Sequence, residues 1–264
     1  MTTHVLIACS KTKSIPASNN LTWKAKTTTK SWAKAWSKQP DLMLVSQLYN
    51  GRSFQQQLAL CRENKNTQPH ILSAGAGLIS EIDVEIPSYE ATFQRNCGPL
   101  VTEWHHLPYG GIEKLELKSI DAVVSFAPPQ YHRALLNDVD IERIAPHLVV
   151  PSTSPLASIA ATVIPIHPRA KEVLKVASTD LNTAFLKTLV SEGIDGFRRI
   201  EREGEKLPPK VQRTPISDED LRQLVGELQE IESMTGLVRH LRDELLIKAS
   251  VERISAARKS VRNE

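Results

Sequence analysis

The stretch HVLIACSKTK, residues 4–13, determines how the rest of the chain is interpreted. Its first five residues form a mostly apolar run, which is typical of a strand that is buried on both faces. A cysteine, a serine and two lysines follow at once. In an open parallel sheet, ligands bind at the carboxyl ends of the strands. We therefore predict a buried strand over residues 4–8 and a functional site where that strand ends.

Further apolar runs of strand length recur along the first two thirds of the chain. They are predicted as strands at residues 41–46, 70–74, 121–127 and 147–152. Segments with helical periodicity lie between them, among them residues 53–64 and 130–139. This alternation predicts an α/β fold, a three-layer sandwich built on a short and mostly parallel sheet.

The sequence changes character after about residue 168, where it becomes charged, helical in period and poor in strand signals. We predict an α/β catalytic domain over residues 1–167 and a helical extension over 168–264. A proline-rich linker is predicted near residues 206–215. The remainder, residues 217–262, indicates one long helix or a helical hairpin, with Ser217 as its N-cap and a break at 234–236.

Composition sets limits on the class of protein. The 264 residues are 41% hydrophobic and 24% charged, with no apolar run long enough to span a membrane. The first residues lack the order of a signal peptide, so we expect a cytoplasmic protein. Three scattered cysteines do not make a disulfide framework or a zinc motif. No phosphate-binding loop is present, and we predict neither a metal nor a cofactor.

Positive charge is concentrated in the first 40 residues, which contain seven lysines and no acidic residue. Tryptophans lie among these lysines, as in segments that bind a phosphate backbone and stack on bases. The alternative is that Trp32 and Trp36, four residues apart, share a helix face that packs against the core. The residues predicted to contact the nucleic-acid backbone are Lys24, Lys26, Lys30 and Arg52.

Four residues are candidates for the chemistry. Cys9 and Lys11 follow the first strand and are candidate nucleophiles. Asp83 and Glu90 lie beyond the strand at 70–74, where a carboxylate would activate water. The alternatives are a small buried residue for Cys9 and a solvated loop for either acid.

A second set of residues is predicted to bind the substrate. Three of the four tyrosines fall just after predicted strands, which suggests stacking on a flat ligand such as a base, although core packing would explain each of them equally well. Small hydroxyl and glycine residues from the same loops complete the set, and a lysine is available to a phosphate. The set is Ser10, Lys13, Tyr49, Ser73, Gly75, Gly77, Tyr89, Ser125 and Tyr131.

Three stretches resemble a bacterial and phage family of uncharacterised small domains. They are ACSKTKSIPA, LYNGRSFQQQLAL and ILSAGAGLISEIDVEIPSYEATF, within residues 4–93. Members of that family carry a C-S-x-x-K opening, an L-Y-x-x-x-x-F helix entry and an L-S-A-x-x-G-L-L segment followed by P-Y-[DE]. This chain departs from the pattern at GAGLI and at PSYE, but it keeps Tyr89 and Glu90.

The opening motif is also similar to the core of archaeosine synthase-type proteins, which handle 7-deazaguanine bases and are similar in fold to uracil-DNA glycosylases. The resemblance implies a metal-independent DNA glycosylase that flips out and excises a modified base, with phage DNA as the expected substrate in antiviral defence. One alternative is base exchange or modification in RNA or DNA through Cys9 or Lys11. Another is a non-catalytic reader of modified DNA. Oligomerisation through the C-terminal helices stays open.

Overall fold

The computed structural model describes residues 1–209 and 212–262, and it divides the chain into two compact units. The first unit is Met1–Lys206 and the second begins at Leu207. The division falls in the predicted proline-rich linker, of which residues 210 and 211 lie outside the described residues. The predicted boundary at residue 167 is wrong, because apolar side chains far beyond it, including Phe185 and Phe197, are buried in the core of the first unit.

A six-stranded sheet forms the centre of the first unit, in the order β4-β3-β1-β6-β7-β8. Its five parallel strands and one antiparallel edge strand confirm the predicted α/β class with a mostly parallel sheet. The strands are β1 Thr3–Ala8, β3 Thr67–Ser73, β4 Gly77–Ile79, β6 Ala122–Ser125, β7 Leu148–Pro151 and β8 Thr162–Ile164.

The strand predicted from the opening stretch, β1, is one of the two central strands of this sheet. It pairs in parallel with β3 on one side and with β6 on the other. Val5, Leu6 and Ile7 are all buried, because a strand with neighbours on both edges and cover on both faces exposes no side chain to water. The apolar run at residues 4–8 is thus explained by its central position.

The predicted strand at residues 41–46 is only partly correct and does not belong to the main sheet. Residues Leu42–Leu44 form β2, which pairs antiparallel with β5 (Glu85–Pro87) in a separate two-stranded sheet. The chain then turns into the short helix α2, Val45–Leu48. Val45 and Leu48 are buried, so the apolar run continues because a helix follows the strand, rather than because the strand is long.

The helices of the first unit connect and flank these strands. Helix α1, Thr29–Trp36, begins after a capping box in which Thr28 and Ser31 bond each other's backbone amides. None of the helices in the described part of the chain has the length and apolar character needed to cross a membrane. The remaining helices of at least four residues are α3 Arg52–Glu63, α4 Pro129–Leu136, α5 Ile141–Ile144, α6 Ala170–Val173 and α7 Leu181–Glu205.

The second unit is a small helical assembly with its own apolar core. The predicted long helix or hairpin is instead three helices, because the chain leaves helical conformation after Glu227 and again after Glu244. The predicted N-cap is confirmed, since the Asp220 amide donates to Ser217 Oγ at 3.0 Å. The elements are β9 Thr214–Pro215, α8 Asp218–Glu227, α9 Met234–Arg239 with a π-helical turn His240–Glu244, β10 Ile247–Lys248 and α10 Val251–Arg262.

Replacing Gly226, near the end of α8, with alanine is expected to stabilise the second unit by about 0.5–1 kcal/mol, because glycine lowers helix stability by that amount. An added Cβ would meet only the methyl groups of Val261, at 3.9 Å, which is ordinary contact. Hydrogen exchange of the amides in α8 would measure the change. Faster exchange in the variant would contradict the prediction.

Candidate active site

The candidate site lies between the carboxyl ends of β1 and β6. From β1 the chain crosses to β3 on one side of the sheet and later returns to β6 on the other side. Such a reversal of strand order opens a crevice at the carboxyl edge, where α/β proteins bind ligands. Cys9 follows β1, and Tyr131 lies in the first turn of α4, which follows β6. The Cys9 sulfur and the Tyr131 hydroxyl are 3.3 Å apart and join the two sides of this crevice.

Below Cys9, two further tyrosines and a serine form a buried hydrogen-bonded network. The hydroxyl groups of Tyr49 and Tyr89 are 2.7 Å apart, and Ser73 Oγ contacts both. The Tyr89 hydroxyl also lies 3.9 Å from the Cys9 sulfur. Burial raises the pKa of Tyr49, Tyr89 and Tyr131, so all three phenols are neutral donors at physiological pH.

The tryptophans of the basic segment hold this network in position. The Trp32 indole nitrogen donates to the Gly75 carbonyl at 2.6 Å. The ring centroids of Trp36 and Tyr89 are 5.3 Å apart. Both tryptophans are buried, so the core-packing alternative is correct for this pair. Tyr49 and Tyr89 are only 0% and 1% exposed. Neither ring has a face open to a base, and the predicted stacking role of these two residues is wrong.

Lys13 is the charged residue that the fold brings to this network. A backbone bridge between Lys13 and Tyr49 fixes the loop after β1. The Lys13 ammonium group then lies 4.5 Å from the centre of the Tyr89 ring, a distance at which cation and ring attract. Burial lowers the pKa of Lys13, and the nearby Cys9 sulfur and Glu90 carboxylate oppose that shift. The result is an amine that loses its proton more readily than an exposed lysine.

The other predicted catalytic residues, Lys11, Asp83 and Glu90, are all exposed. Lys11 is exposed, with no hydrogen bond or ion pair to its side chain among the described residues. Asp83 lies in an exposed turn, and no bond joins it to the Tyr49–Tyr89 network within the described part of the chain. Glu90 is exposed, but its backbone bonds to Leu21 and Trp23 keep it close enough for its charge to act on Lys13.

Several predicted substrate-binding residues have structural roles instead. Ser10 Oγ accepts the Thr12 amide at 3.0 Å and orders the loop after β1. Gly77, with φ +96°, lies against the Gly110 carbonyl, where an added Cβ would come within 2.3 Å. Ser73 and Ser125 are fully buried. Ser73 accepts the Ala76 amide at 2.9 Å, and neither serine is open to a ligand.

Gly75 is expected to tolerate no side chain. A Cβ at this position would lie 2.4 Å from a carbon of the Tyr89 ring. Overpacking of this kind costs about 1–3 kcal/mol, so Gly75→Ala should lower the free energy of unfolding by that amount in urea titrations. The Gly226→Ala variant, whose new methyl group has room, is the matched control and should not be destabilised. A Gly75→Ala protein as stable as the parent would show that Tyr89 can move.

The residues predicted to contact a nucleic-acid backbone are all on the surface. Lys24, Lys26 and Lys30 are exposed in the loop before α1 and in its first turn. Arg52 is exposed at the start of α3, with one nitrogen 3.8 Å from an Asp180 oxygen. The three lysines therefore keep their charge available to a partner more fully than Arg52 does.

Sequence reasoning missed an apolar cleft beside the site. It has a volume of about 520 Å³ and lies where β6, β7 and β8 end. His132, one residue after Tyr131, borders it and bonds Ser125 on one side and Ser154 on the other. The loops SFAPPQYHR and PSTSP do mark these strand ends, but the part of the lining contributed by α7 comes from a segment that the sequence assigns to the extension.

One group of acidic side chains in the described residues has the spacing to hold a cation. Oxygen atoms of Glu113, Asp138 and Asp140 lie within 4.8 Å of one another. Backbone amides already donate to two of them, since Ile112 bonds Asp138 at 3.0 Å and Gly111 bonds Glu113 at 2.9 Å. The group thus has a structural explanation as a cap for this loop.

Comparisons with protein-family models, with curated proteins and with solved structures found no match to this chain.

Proposed function

We propose that this chain excises a nucleobase from DNA by cleaving its N-glycosidic bond, with the reaction taking place beside Lys13. The observation that carries the proposal is the position of Lys13. Its ammonium group is partly buried beside the Tyr49–Tyr89 network, over the ring of Tyr89 and near Cys9 at the end of β1, and its pKa is lowered. The resemblance of the opening motif to nucleobase-handling proteins supplies the choice of bond.

The chemistry needs a nucleophile at C1′ of the sugar. The neutral Lys13 amine forms a bond to C1′ while the bond from C1′ to the base nitrogen breaks. The base leaves with the electron pair and takes up a proton from solvent, and the amine gives up a proton to the Glu90 carboxylate. The O4′–C1′ bond then opens as O4′ takes up the proton from Glu90, which gives an imine between C1′ and the Lys13 nitrogen, and water hydrolyses this imine to leave an abasic site and the free amine. In a variant of this mechanism, Glu90 activates water for direct attack on C1′.

The wider features of the protein fit this activity. Lys24, Lys26 and Lys30 would bind the phosphates beside an extruded nucleotide. The six-stranded sheet with flanking helices is compatible with the three-layer, uracil-DNA-glycosylase-like arrangement, which we include in the proposal. A modified base in phage DNA is the substrate class that the resemblance favours, and the cytoplasm is the compartment where such DNA would be met.

The test is release of a free base. The full chain is incubated without added metal with unmodified DNA, uracil-containing DNA, DNA with glucosylated hydroxymethylcytosine, and bulk tRNA. Mass spectrometry of the small-molecule fraction and alkali cleavage of the polymer are then measured. A free base together with alkali-labile sites supports the proposal and identifies the base. Binding without release from any sample would overturn it and favour a reader of modified DNA.

A second candidate function is base exchange, which rests on Cys9. The Cys9 sulfur is partly exposed at the end of β1 and has two tyrosine hydroxyls within 3.9 Å. In exchange, the thiol would attack C1′ of the sugar while the outgoing base leaves with the electron pair of the broken bond and the thiol proton, and a nitrogen of the incoming base would then displace the sulfur from C1′. Exchange would incorporate a labelled free base into the polymer and leave no alkali-labile site, so the same samples distinguish the two activities.

A further inference from the structure

The cleft of about 520 Å³ beside the reaction site is lined by two kinds of surface. Its walls are apolar and are formed by rings and branched side chains after β6 and β8 and at the start of α7, among them Phe126, Ile166, Leu181 and Phe185. Its polar groups come from Thr153, His167 and Asn182, with His132 and Ser154 bonded to each other and the charged Lys171 also in the lining. The volume lies within the range of about 300–1,000 Å³ that is typical of small-molecule sites.

The polar groups have hydrogen-bonding capacity that the protein does not use. Within the described residues, the Asn182 amide makes no side-chain hydrogen bond, so it offers both a donor and an acceptor. The His167 Nδ1 atom accepts the Arg169 amide at 3.2 Å. In the neutral ring the proton is therefore on Nε2, which makes that atom a donor.

This combination matches one shape of ligand. A sugar carries hydroxyl groups on all sides and would leave many of them unpaired against the apolar walls. An alkyl chain would gain nothing from the amide and the imidazole. A nucleobase has two apolar faces and a polar edge, which is the distribution that apolar walls with a few donors and acceptors bind.

The cleft is also connected to the reaction site through α4. Tyr131 and His132 are consecutive residues of that helix. Tyr131 contacts the Cys9 sulfur, whereas His132 borders the cleft and is held by Ser125 and Ser154 at 2.9 and 2.7 Å. Because β6 pairs with β1, the cleft and the crevice at Cys9 are neighbours along the carboxyl edge of the sheet.

We infer that this cleft is the nucleobase pocket of the protein, with the base lying against the apolar wall that Phe126 and Phe185, whose ring centroids are 5.7 Å apart, form together, and with Asn182 and His167 bonding its polar edge. As an assignment of the substrate-binding half of the site, the inference rests on the proposed function. Binding of a free base, however, does not require cleavage of any bond. The two statements therefore fail separately.

The experiment measures binding of free bases to the full chain by saturation-transfer NMR and calorimetry. The probes are cytosine, 5-hydroxymethylcytosine, uracil, guanine and 7-deazaguanine. Thr153→Trp places a large ring in the cleft from an exposed position, and Ser119→Trp makes the same change in an exposed turn before β6. We expect at least one base to bind, Thr153→Trp to weaken its affinity at least tenfold, and Ser119→Trp to leave the affinity unchanged.

A second variant tests how the base is read. Asn182→Ala should reduce the preference between bases, because it removes an edge contact and leaves the walls intact. Absence of binding by all five bases would overturn the inference, as would binding that Thr153→Trp does not weaken. Binding without base release from any polymer would retain the pocket and remove the glycosylase proposal. Base release at an unaltered rate in the Thr153→Trp variant would instead retain the glycosylase proposal and overturn the assignment of the pocket.

Discussion

Replacing Lys13 with methionine is expected to lower the rate of base release from DNA at least about 100-fold, the lower end of the loss when one catalytic side chain is removed. The reason is that methionine keeps most of the volume of the side chain but has no amine to attack C1′. Stability should change little, because the partly buried ammonium group of Lys13 is already penalised by desolvation. The measurement is the single-turnover rate on the substrate found in the release assay.

Lys11→Met is the matched control, since it removes the same charge two residues away, from an exposed side chain. Its single-turnover rate should stay within about threefold of the parent, because an exposed cation contributes mainly to weak, screened attraction. Borohydride reduction should trap the parent chain on DNA and fail to trap the Lys13 variant. Equal single-turnover rates for the parent and Lys13→Met would show that the Lys13 amine is not the nucleophile. Attack by water that Glu90 activates would then be the remaining route.

The free energy of unfolding of the first unit is expected to fall as the pH falls from 6.5 to 5. Burial, together with the charge of the neighbouring His4, lowers the pKa of His70 to about 3, and burial lowers the pKa of His132 to about 4. In the unfolded chain both rings have a pKa near 6.5. At a pH between the folded-state and unfolded-state pKa values, these rings are protonated in the unfolded state and neutral in the folded state, so a fall in pH favours unfolding. For the pair, the loss amounts to about 3 kcal/mol over this pH range.

The surroundings of both rings explain the direction of the shifts. His4 Nδ1 lies 2.8 Å from His70 Nε2, so protonation of both rings would place two charges together, with Asp121 3.5 Å from the far nitrogen of His4. His132 has only the neutral hydroxyls of Ser125 and Ser154 as partners.

Tryptophan fluorescence in urea gives the measurement, because all four tryptophans (Trp23, Trp32, Trp36 and Trp104) lie in the first unit. His132→Asn should reduce the slope of stability against pH by about half. His106→Asn, at an exposed position, should not alter the slope. A stability that is constant between pH 6.5 and 5 would show that both rings are protonated without cost in the folded state.

How far the sequence predicts the fold depends on what determines each element. The central strand was predictable, because burial on both faces leaves a continuous apolar run. Strand β8 was not, because three residues at the edge of a sheet, with Val163 exposed, carry too little hydrophobic signal. The unit boundary was misplaced for a related reason: α7 is charged along its exposed face and buries Phe185 and Phe197 on the other, a division that composition alone does not report.

The site was predictable in place but not in detail. Residues that follow β1 and β6 do converge at the sheet edge, because strand order and parallel direction require it. Which lysine lies against the buried tyrosines depends on the bridge between Lys13 and Tyr49, a contact across 36 residues that no local pattern encodes. Tyrosines after strands were expected to face a ligand, yet the hydroxyls of Tyr49 and Tyr89 bond each other, and tryptophans distant in sequence pack against Tyr89.

The central position of β1 also has a consequence for how the protein is made. Thr3 pairs with Thr67 on one edge and with Ala122 on the other, so this strand is synthesised well before either of its partners. At roughly 5–20 residues per second on the ribosome, its second edge stays unpaired for about 6–24 seconds. During that interval an apolar strand with open hydrogen-bonding groups is a template for other chains. Nascent chains should therefore depend on chaperones until β6 has emerged from the ribosome.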